Sequence, residues 1–381
     1  MKRHVTNLPV SDAALGPGQA PISAVRAGEV ILTSGIPGID MASGRMPSEP
    51  EAQFELAFAN MRGLLSRAGA GIDAIGLVTV WTPDRGGRAF INKPWLAMFP
   101  GENRPARKTN HAPLPQGVHV QLTATAVLGA ERKAIGVPGL KHKDPLPMGA
   151  RIGRYVFSSV FAPEDPGDGK VVEGPLKQLA RAFDNGALFM EQAGGNEDNI
   201  NHYWVYMQDF SHQPAMVEEW VRRWAIFGDR PARKTVPYEL PAGSEIQLQL
   251  TGVLGDRRKN YEVPGVGHHD PIPMASSIGP LLQSSGIYGI DAATGNVVEG
   301  RDSQTDMVLR ITRDLMAEAG GAVDDITALT VMVQDFAEVP YFRSRLKSLF
   351  PDPNSQPALH FIRYQMPKQW HLQFHVTAML G

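Results

Sequence analysis

The chain has 381 residues, which at about 100–200 residues per domain corresponds to two to four domains. Hydrophobic residues make up 43% and charged residues 20%, a balance that excludes disorder as the main state. The 37 basic and 39 acidic residues nearly cancel, so no overall field favours nucleic acid or an anionic membrane. There is no cysteine, which excludes disulfides, thiolate metal sites and cysteine nucleophiles.

Membrane and secretory segments are not visible in the sequence. No uninterrupted apolar stretch approaches the ~18 residues of a membrane span, and residues 1–16 lack the apolar core of a secretory signal. Because the absence of cysteine also fits a reducing compartment, we expect a cytoplasmic protein. Its expected partner is a small-molecule substrate, with no nucleic acid and no membrane.

The dominant feature is an internal repeat. Segments 105–129, 231–255 and 357–381 read PARKTNHAPLPQGVHVQLTATAVLG, PARKTVPYELPAGSEIQLQLTGVLG and PALHFIRYQMPKQWHLQFHVTAMLG. Their closing residues, Gly129, Gly255 and Gly381, recur at a constant spacing. A period of this length is too long for a solenoid unit and indicates three tandem domains.

The connections repeat as well. VPGLKHKDPLPM at 137–148 matches VPGVGHHDPIPM at 263–274, and both are rich in proline and glycine. Such stretches are typical of extended connections, so we place the boundaries near 134–143 and 260–269. The predicted domains are 1–133, 143–257 and 268–381.

The predicted elements of copy one follow each other as strand, turn, helix, strand, helix and strand. A strand at 30–40 precedes an amphipathic helix at about 51–68, which has Phe54, Phe58, Met61 and Leu65 at helical spacing. A buried strand at 76–81, a helix at about 89–99 and the final strand follow. Copy three repeats the pattern, with helices near 305–319 and 340–350. The order β-β-α-β-α-β predicts an α+β domain with helices on one face of a mixed sheet.

The final strand alternates apolar and polar residues in every copy. In copy one Val118, Val120, Leu122 and Ala124 alternate with His119, Gln121, Thr123 and Thr125. One face of each sheet should therefore pack under the helices, since alternate side chains on a strand point to opposite faces. Because the other face is polar in all three copies, we expect the three sheets to meet around a shared, partly wet interior.

These residues carry a family resemblance. A Ser-Gly at the end of an early strand, a helix ending in Ala-Gly, and Pro-Ala-Arg followed by Leu-Pro and an alternating strand resemble the YjgF/Rid family. These are the reactive-intermediate (enamine/imine) deaminases, and the resemblance covers most of each copy. It implies chorismate-mutase-like domains, usually assembled as trimers with active sites between subunits. Three fused copies therefore imply an intramolecular pseudo-trimer, monomeric or a low-order oligomer, with helices outside and sheets facing a central cavity.

The resemblance assigns the family's carboxylate-binding arginine to Arg107 and Arg233. A guanidinium is independently suited to this role, because it is always charged and pairs with a carboxylate through two hydrogen bonds. Copy three has Leu359 at this position and has lost the anchor. The alternative for both arginines is a structural ion pair.

The family's water-activating glutamate corresponds to Gln121, Gln247 and Gln373. Glutamine can orient a water or a carbonyl but cannot accept a proton at neutral pH. We take Gln121 and Gln247 as catalytic candidates in that orienting role, which puts the standard enamine/imine hydrolysis in doubt. The alternative is a structural amide with its hydrogen bonds satisfied.

Other substrate-binding positions are also implied by the resemblance. In copy two Val160 replaces the glycine of the Ser-Gly pair and would hinder close approach of a substrate to the backbone. Copy one keeps most of the pattern, copy two keeps the arginine, and copy three has Phe361 where the others have threonine. The implied positions are Ser34, Gly35, Ser285, Gly286, Asn92, Thr109 and Thr235.

Several histidines could serve other chemistry. His371 and His375 face the same way but lie ~13 Å apart on a strand, too far to share a metal ion. They and His360 are interpreted either as general bases or as polar residues on a cavity wall. For the linker run at 268–270, His-His-Asp, a hydrogen-bonded Asp-Pro turn is favoured over a metal site. We predict no metal, and without a nucleotide-binding glycine motif no cofactor.

The function favoured by these residues is hydrolysis of a C–N bond in a small, carboxylated metabolite, in clefts between domains. One alternative is a diverged lyase, hydrolase or tautomerase acting on another small substrate. Another is a non-catalytic binder of small anions. An enzyme needs a titrating group or an activated water in its cleft, whereas a binder does not.

Overall fold

The computed structural model describes residues 1–16, 18–291 and 293–381, which form three mixed sheets with helices. The first domain contains β1 (Arg3–Asn7), α1 (Asp12–Leu15), β2 (Ser23–Ala27), β3 (Val30–Thr33), β4 (Ile36–Pro37), α2 (Pro50–Arg67), β5 (Ile75–Thr82), α3 (Asn92–Met98), β6 (Ala106–His111) and β7 (Gln121–Val127). The second contains β8 (Arg132–Ile135), β9 (Gly149–Ile152), β10 (Tyr155–Ser158), α4 (Pro175–Gln192), β11 (Ile200–Met207), α5 (Gln213–Arg223), β12 (Ala232–Pro237) and β13 (Ile246–Val253). The third contains β14 (Arg258–Tyr261), β15 (Ala275–Ile278), β16 (Leu281–Ser284), α6 (Arg301–Glu318), β17 (Ile326–Val333), α7 (Val339–Leu346), β18 (Ala358–Arg363) and β19 (Leu372–Met379).

The three sheets share one topology. The strand orders are β1-β2-β3-β7-β5-β6, β8-β9-β10-β13-β11-β12 and β14-β15-β16-β19-β17-β18, with β4 also paired to β7. Strands β5 and β6 run parallel, as do β11 with β12 and β17 with β18. A helix connects each parallel pair, as a parallel crossover requires. The predicted α+β class and the three tandem copies are confirmed.

The elements differ from the predicted ones in detail. The helix predicted at 51–68 is α2, whose apolar stripe is buried and whose first residue, Pro50, suits a helix N-terminus. The strand predicted at 30–40 is divided into β3 and β4 at Ser34, whose Oγ accepts a hydrogen bond from the backbone N–H of Ser23 at 2.9 Å. Strands β1 and β2 were not predicted, because their short runs carry little periodicity.

Sheet membership also differs from the predicted spans. Strands β8 and β14 lie within or beside the stretches interpreted as connections, and each pairs antiparallel with the next strand of its own sheet. The second sheet therefore begins at Arg132 and the third at Arg258. Proline and glycine in these stretches mark the loops that follow the first strand, at 136–148 and 262–274.

The polar sheet faces meet as predicted. Val120, Leu122 and Ala124 pack in the apolar core beneath α2. The opposite face of the sheets lines a central cavity of about 130 Å³, to which Thr79, Trp204 and Thr330 contribute from three different domains. Among the described residues, no helix combines the length and apolar character needed to cross a membrane.

Candidate active site between the domains

The edge strand of each sheet faces the following domain. The backbone N–H of Arg107 on β6 donates to Ser159 Oγ of the second domain at 3.1 Å. The backbone N–H of Arg233 on β12 donates to Ser285 Oγ of the third domain, also at 3.1 Å. The arginine of one copy is thus brought to the serine of the next, a pairing that the sequence left open.

The edge strands of the three sheets define three interfaces. The first cleft, between domains one and two, joins Arg107 to Val160 and Gln247. The second cleft, between domains two and three, joins Arg233 to Gly286 and Gln373. At the third interface, between domains three and one, His360 meets Gly35 and Gln121. Of the three, the second combines an arginine with an intact Ser-Gly pair.

The first cleft has a volume of about 380 Å³ and carries an excess of positive charge. Its lining includes the predicted Thr109 and Gln247. Three acidic side chains, Asp144, Glu164 and Glu239, face twice as many basic ones. The basic residues are Arg85, Arg88, Arg107, Lys108, Lys141 and Lys143.

Arg107 is held by neighbours within the protein. Its Nη1 donates to Asn92 Oδ1 at 3.0 Å, and its Nη2 lies 3.3 Å from Asp144 Oδ2. The guanidinium lies 4.8 Å from the Trp95 ring, and burial lowers the pKa of Arg107 to about 10. Asn92, predicted to bind substrate, is hydrogen-bonded to both Arg107 and Asp144. The contact between Arg107 and Asp144 agrees with the alternative of a structural ion pair.

Arg233 has an equivalent setting in the second cleft. It forms an ion pair with Asp270, its Nη1 lies 3.4 Å from Met216 Sδ, and its guanidinium lies 4.8 Å from the Trp220 ring. Gln213 Nε2 donates to Asp270 Oδ2 at 2.9 Å, the contact that Asn92 makes to the aspartate of the first cleft. Burial lowers the pKa of Arg233 to about 10, so it remains charged at neutral pH.

The second cleft is larger, about 570 Å³, and is walled by aromatic rings. Tyr288 and Trp370 stack with ring centroids 4.2 Å apart and an interplanar angle of 17°. Phe210, Tyr364 and Met366 also line it. Such walls bury apolar ligand surface, while a few polar groups orient the ligand.

Three unpartnered polar atoms belong to residues that line this second cleft. Arg233 Nε, Thr235 Oγ1 and His268 Nε2 are buried and have no hydrogen-bond partner within the described part of the chain. In the lining of the first cleft, the corresponding atom is His142 Nε2. A buried polar group without a partner costs about 1–3 kcal/mol, so a ligand group that satisfies several of them would be bound favourably.

Lysines next to the two arginines were missed by sequence reasoning. Lys108 is 3% exposed, and its Nζ lies 3.9 Å from the Tyr206 ring centroid and 4.9 Å from that of Tyr238. Lys234 is 9% exposed, and its Nζ donates to Gln373 Oε1. Burial lowers the pKa of both lysines to about 7. The signal was the lysine shared by the Pro-Ala-Arg-Lys-Thr runs of copies one and two.

The third interface is closed by side chains. His360 Nε2 lies 3.2 Å from Gln121 Oε1, and Gln121 Nε2 donates to Gln19 Oε1 at 3.4 Å. A Cβ at Gly35 would collide with the His360 ring. Ser34 is fully buried, and burial lowers the pKa of His360 to about 3. Gln121, Ser34 and Gly35 therefore lie opposite a copy that has Leu359 in place of the arginine.

The remaining histidines of copy three do not converge. His375 Nε2 lies 3.1 Å from His202 Nε2 near the central cavity, while His371 lies at the periphery, 3.5 Å from Glu338. Asp270 pairs with Arg233. Over residues 1–16, 18–291 and 293–381, no group of three or more His, Asp or Glu side chains could hold a metal ion.

Comparison with known proteins places these features in a family. The family described as Endoribonuclease L-PSP matches residues 14–128. A RutC family protein of Aquifex aeolicus is 28% identical over 117 residues, covering 29% of this chain and 94% of its own. A 2-iminobutanoate/2-iminopropanoate deaminase of Escherichia coli is 30% identical over 118 residues, covering 30% of this chain and 90% of its own.

One solved structure resembles this chain over more than a single domain. A chorismatase has a TM-score of 0.55 at 14% identity, covering 81% of this chain and 94% of that one. At this identity the match shows the fold alone. The Escherichia coli deaminase is matched over 90% of its length, and the three sheets of this chain share one topology. The chain therefore belongs to the YjgF/Rid family.

Proposed function

We propose that the second cleft hydrolyses the C–N bond of a 2-imino acid, releasing ammonia and a 2-oxo acid. The observation that carries this proposal is the meeting of Arg233 with an intact Ser285–Gly286 pair and with Gln373. In the first cleft Val160 stands where glycine would allow a substrate to approach the backbone. At the third interface the arginine is missing.

Arg233 supplies the anion site. Although Asp270 occupies one edge of the guanidinium, Arg233 Nε has no partner within the described residues. Thr235, two residues along the same strand and on the same face, offers an unpartnered hydroxyl. A substrate carboxylate accepting from both groups would satisfy them together, and charge-assisted hydrogen bonds of this kind are the stronger ones.

The other side of the cleft orients the reacting centre. A Cβ on Gly286 would collide with the Gln373 side-chain amide, so glycine permits this glutamine to lie against the backbone. The Gln373 amide can hold a water or a developing carbonyl oxygen. Gln373, rather than Gln121, is therefore the glutamine we assign to this reaction, and Gln247 keeps the corresponding place in the first cleft.

The shape of the cleft favours a bulky substrate. A volume of about 570 Å³ is large for an imino acid with a one- or two-carbon side chain, and its walls include Tyr288, Tyr364 and Trp370. Aromatic rings stack favourably on aromatic ligands. The Escherichia coli relative is named for 2-iminobutanoate and 2-iminopropanoate, whereas the aromatic walls favour 2-imino acids with aromatic side chains.

The test is release of ammonia from imino acids generated in place by an amino-acid oxidase. Imines of alanine and of phenylalanine are supplied to the wild type, Arg233→Ala and Arg107→Ala. We expect acceleration by the wild type and by Arg107→Ala, greater for the phenylalanine imine, and none by Arg233→Ala. No acceleration over buffer by the wild type would reject the proposed function. Full activity of a folded Arg233→Ala variant would reject the second cleft as its place.

A further inference from the structure

Lys234 is a titratable group of the second cleft to which the proposed reaction gives no role. It lines the cleft with Arg233 and Thr235, but as the intervening residue on the strand it points to the opposite face. Its amine reaches the third domain, where it donates to Gln373 Oε1. The cleft therefore borders both faces of this edge strand.

The partner of the amine determines its charge state. A lysine paired with a carboxylate stays protonated, but the acceptor here is a neutral amide. No ion pair to Lys234 is found in the described part of the chain. Burial lowers the pKa of Lys234 to about 7, so a large share of the amine is neutral and nucleophilic at neutral pH.

Arg233 and Lys234 both act electrostatically on His268. Burial, followed by the charges of Lys234 and Arg233, lowers the pKa of His268 to about 3. His268 thus lies within electrostatic range of both groups, and its Nε2 is one of the unpartnered atoms of the cleft. Arg233, Lys234 and His268 all line the second cleft, so a ligand bound there can meet the anion anchor and the amine.

We infer that Lys234 is a covalent catalyst that exchanges its amine with the nitrogen of a 2-imino acid. Lys234 Nζ attacks C2, giving a carbon that carries both nitrogens. The bond from C2 to the substrate nitrogen then breaks, and both protons of the neutral lysine amine end on the nitrogen that departs as ammonia. Water next hydrolyses the imine between C2 and Lys234, giving the 2-oxo acid and the free amine.

This route rests on the proposed function and replaces water as the nucleophile of the first step only, since water still attacks the lysine imine in the second. No glutamine can take a proton from water, so a first step without water avoids that requirement at the stage where ammonia leaves. Attack by an amine needs no general base acting on water in the first step. Lys108 provides the comparison, since burial lowers its pKa to the same value but it lines the first cleft, together with Val160.

The experiment is reductive trapping. The wild type is incubated with phenylpyruvate, the 2-oxo acid product, and treated with sodium borohydride, which reduces a lysine imine to a stable amine. Peptide mass spectrometry then locates the added mass. We expect the adduct on Lys234 in the wild type and in Lys108→Met, and no adduct at that position in Lys234→Met. A wild type with no adduct on Lys234 would overturn the inference.

Turnover separates this inference from the proposed function. Lys234→Arg keeps a cation and a donor to Gln373 but cannot form the imine, so it serves if Lys234→Met does not fold. We expect ammonia release by Lys234→Arg to fall to the rate without enzyme. If the wild type is active and Lys234→Arg retains that activity, the covalent role is wrong and the function stands. If Lys234 is trapped while no imino acid is turned over, the lysine site stands and the function fails.

Discussion

The first and second clefts begin from the same run, Pro-Ala-Arg-Lys-Thr, and differ in what the following domain supplies. The second domain brings Val160 and a loop with two lysines to Arg107, and the third domain brings Gly286 and aromatic rings to Arg233. One cleft is smaller and basic, while the other is larger, aromatic and holds several unpartnered polar atoms. A site in this protein is therefore a property of two successive copies.

The copy that keeps most of the family's residue pattern does not form the most complete cleft. Copy one keeps the largest part of the family's residue pattern, but its Ser34 and Gly35 face copy three, where Leu359 and His360 replace arginine and lysine. Copy two has lost the Ser-Gly pair but donates Arg233 to a neighbour that keeps it. A substitution in one copy can therefore alter either of two interfaces. Its edge strand belongs to one interface, and its Ser-Gly segment belongs to the other.

Among changes that keep Arg233 and Lys234, the largest expected effect comes from giving the second cleft the residue of the first. Gly286→Val places a side chain where the Gln373 amide lies, so it should displace the groups around the reacting centre. Misplacement of this kind costs about a hundredfold in rate, and we expect kcat/KM for the phenylalanine imine to fall by about that factor. Val160→Gly in the first cleft is the matched change and should leave this rate unaltered. Equal losses from both changes would contradict the assignment to one cleft.

The ion pairs of the two arginines should contribute differently to the free energy of unfolding. Removing a partner leaves a buried charge uncompensated, and Arg233 is 1% exposed. Because Asp270 itself is partly exposed, we expect Asp270→Ala to lower the free energy of unfolding by about 2 kcal/mol. Asp144→Ala should cost about 1 kcal/mol, since Arg107 keeps its hydrogen bond to Asn92. Urea unfolding followed by tryptophan fluorescence measures both values, and the reverse order would show that the first pair is the more important.

The closed third interface should contribute to acid sensitivity. Burial lowers the pKa of His360 to about 3, so the folded state binds fewer protons than the unfolded state as pH falls below about 6.5. Stability is complete above that pH and declines from there towards pH 3, by up to about 1.4 kcal/mol per pH unit for one such group. His360→Gln should reduce this slope between pH 6 and 4 by about that amount, as measured by urea unfolding. An unchanged slope would show that His360 is protonated in the folded state.

The smallest expected effect concerns side-chain preference. Trp370→Leu removes one ring of the stacked pair with Tyr288, a contact worth about 1 kcal/mol. We expect kcat/KM to fall about fivefold for the phenylalanine imine and to change little for the alanine imine. Tyr238→Leu in the first cleft is the control and should spare both substrates. A uniform loss on both imines after Trp370→Leu would indicate a structural role for the ring.

Much of the fold follows from the sequence because its signals are local and repeated. The alternation of Val120, Leu122 and Ala124 with polar residues determines which face packs under a helix. The stripe of Phe54, Phe58 and Met61 determines the buried face of α2. Strands β8 and β14 have no counterpart among the predicted strands, because four-residue edge strands next to proline- and glycine-rich stretches carry almost no periodic signal.

The sequence by itself determined the three copies, the class of the fold, the candidate arginines and glutamines, and the loss of the arginine in copy three. Only the tertiary structure decided that Arg233 meets Gly286 and Gln373, that His360 closes on Gln121, and that Lys234 reaches across to the next domain. The physical reason is that each cleft is formed by segments far apart in the chain. Periodicity specifies which face of a strand is buried, but not which other domain will cover it.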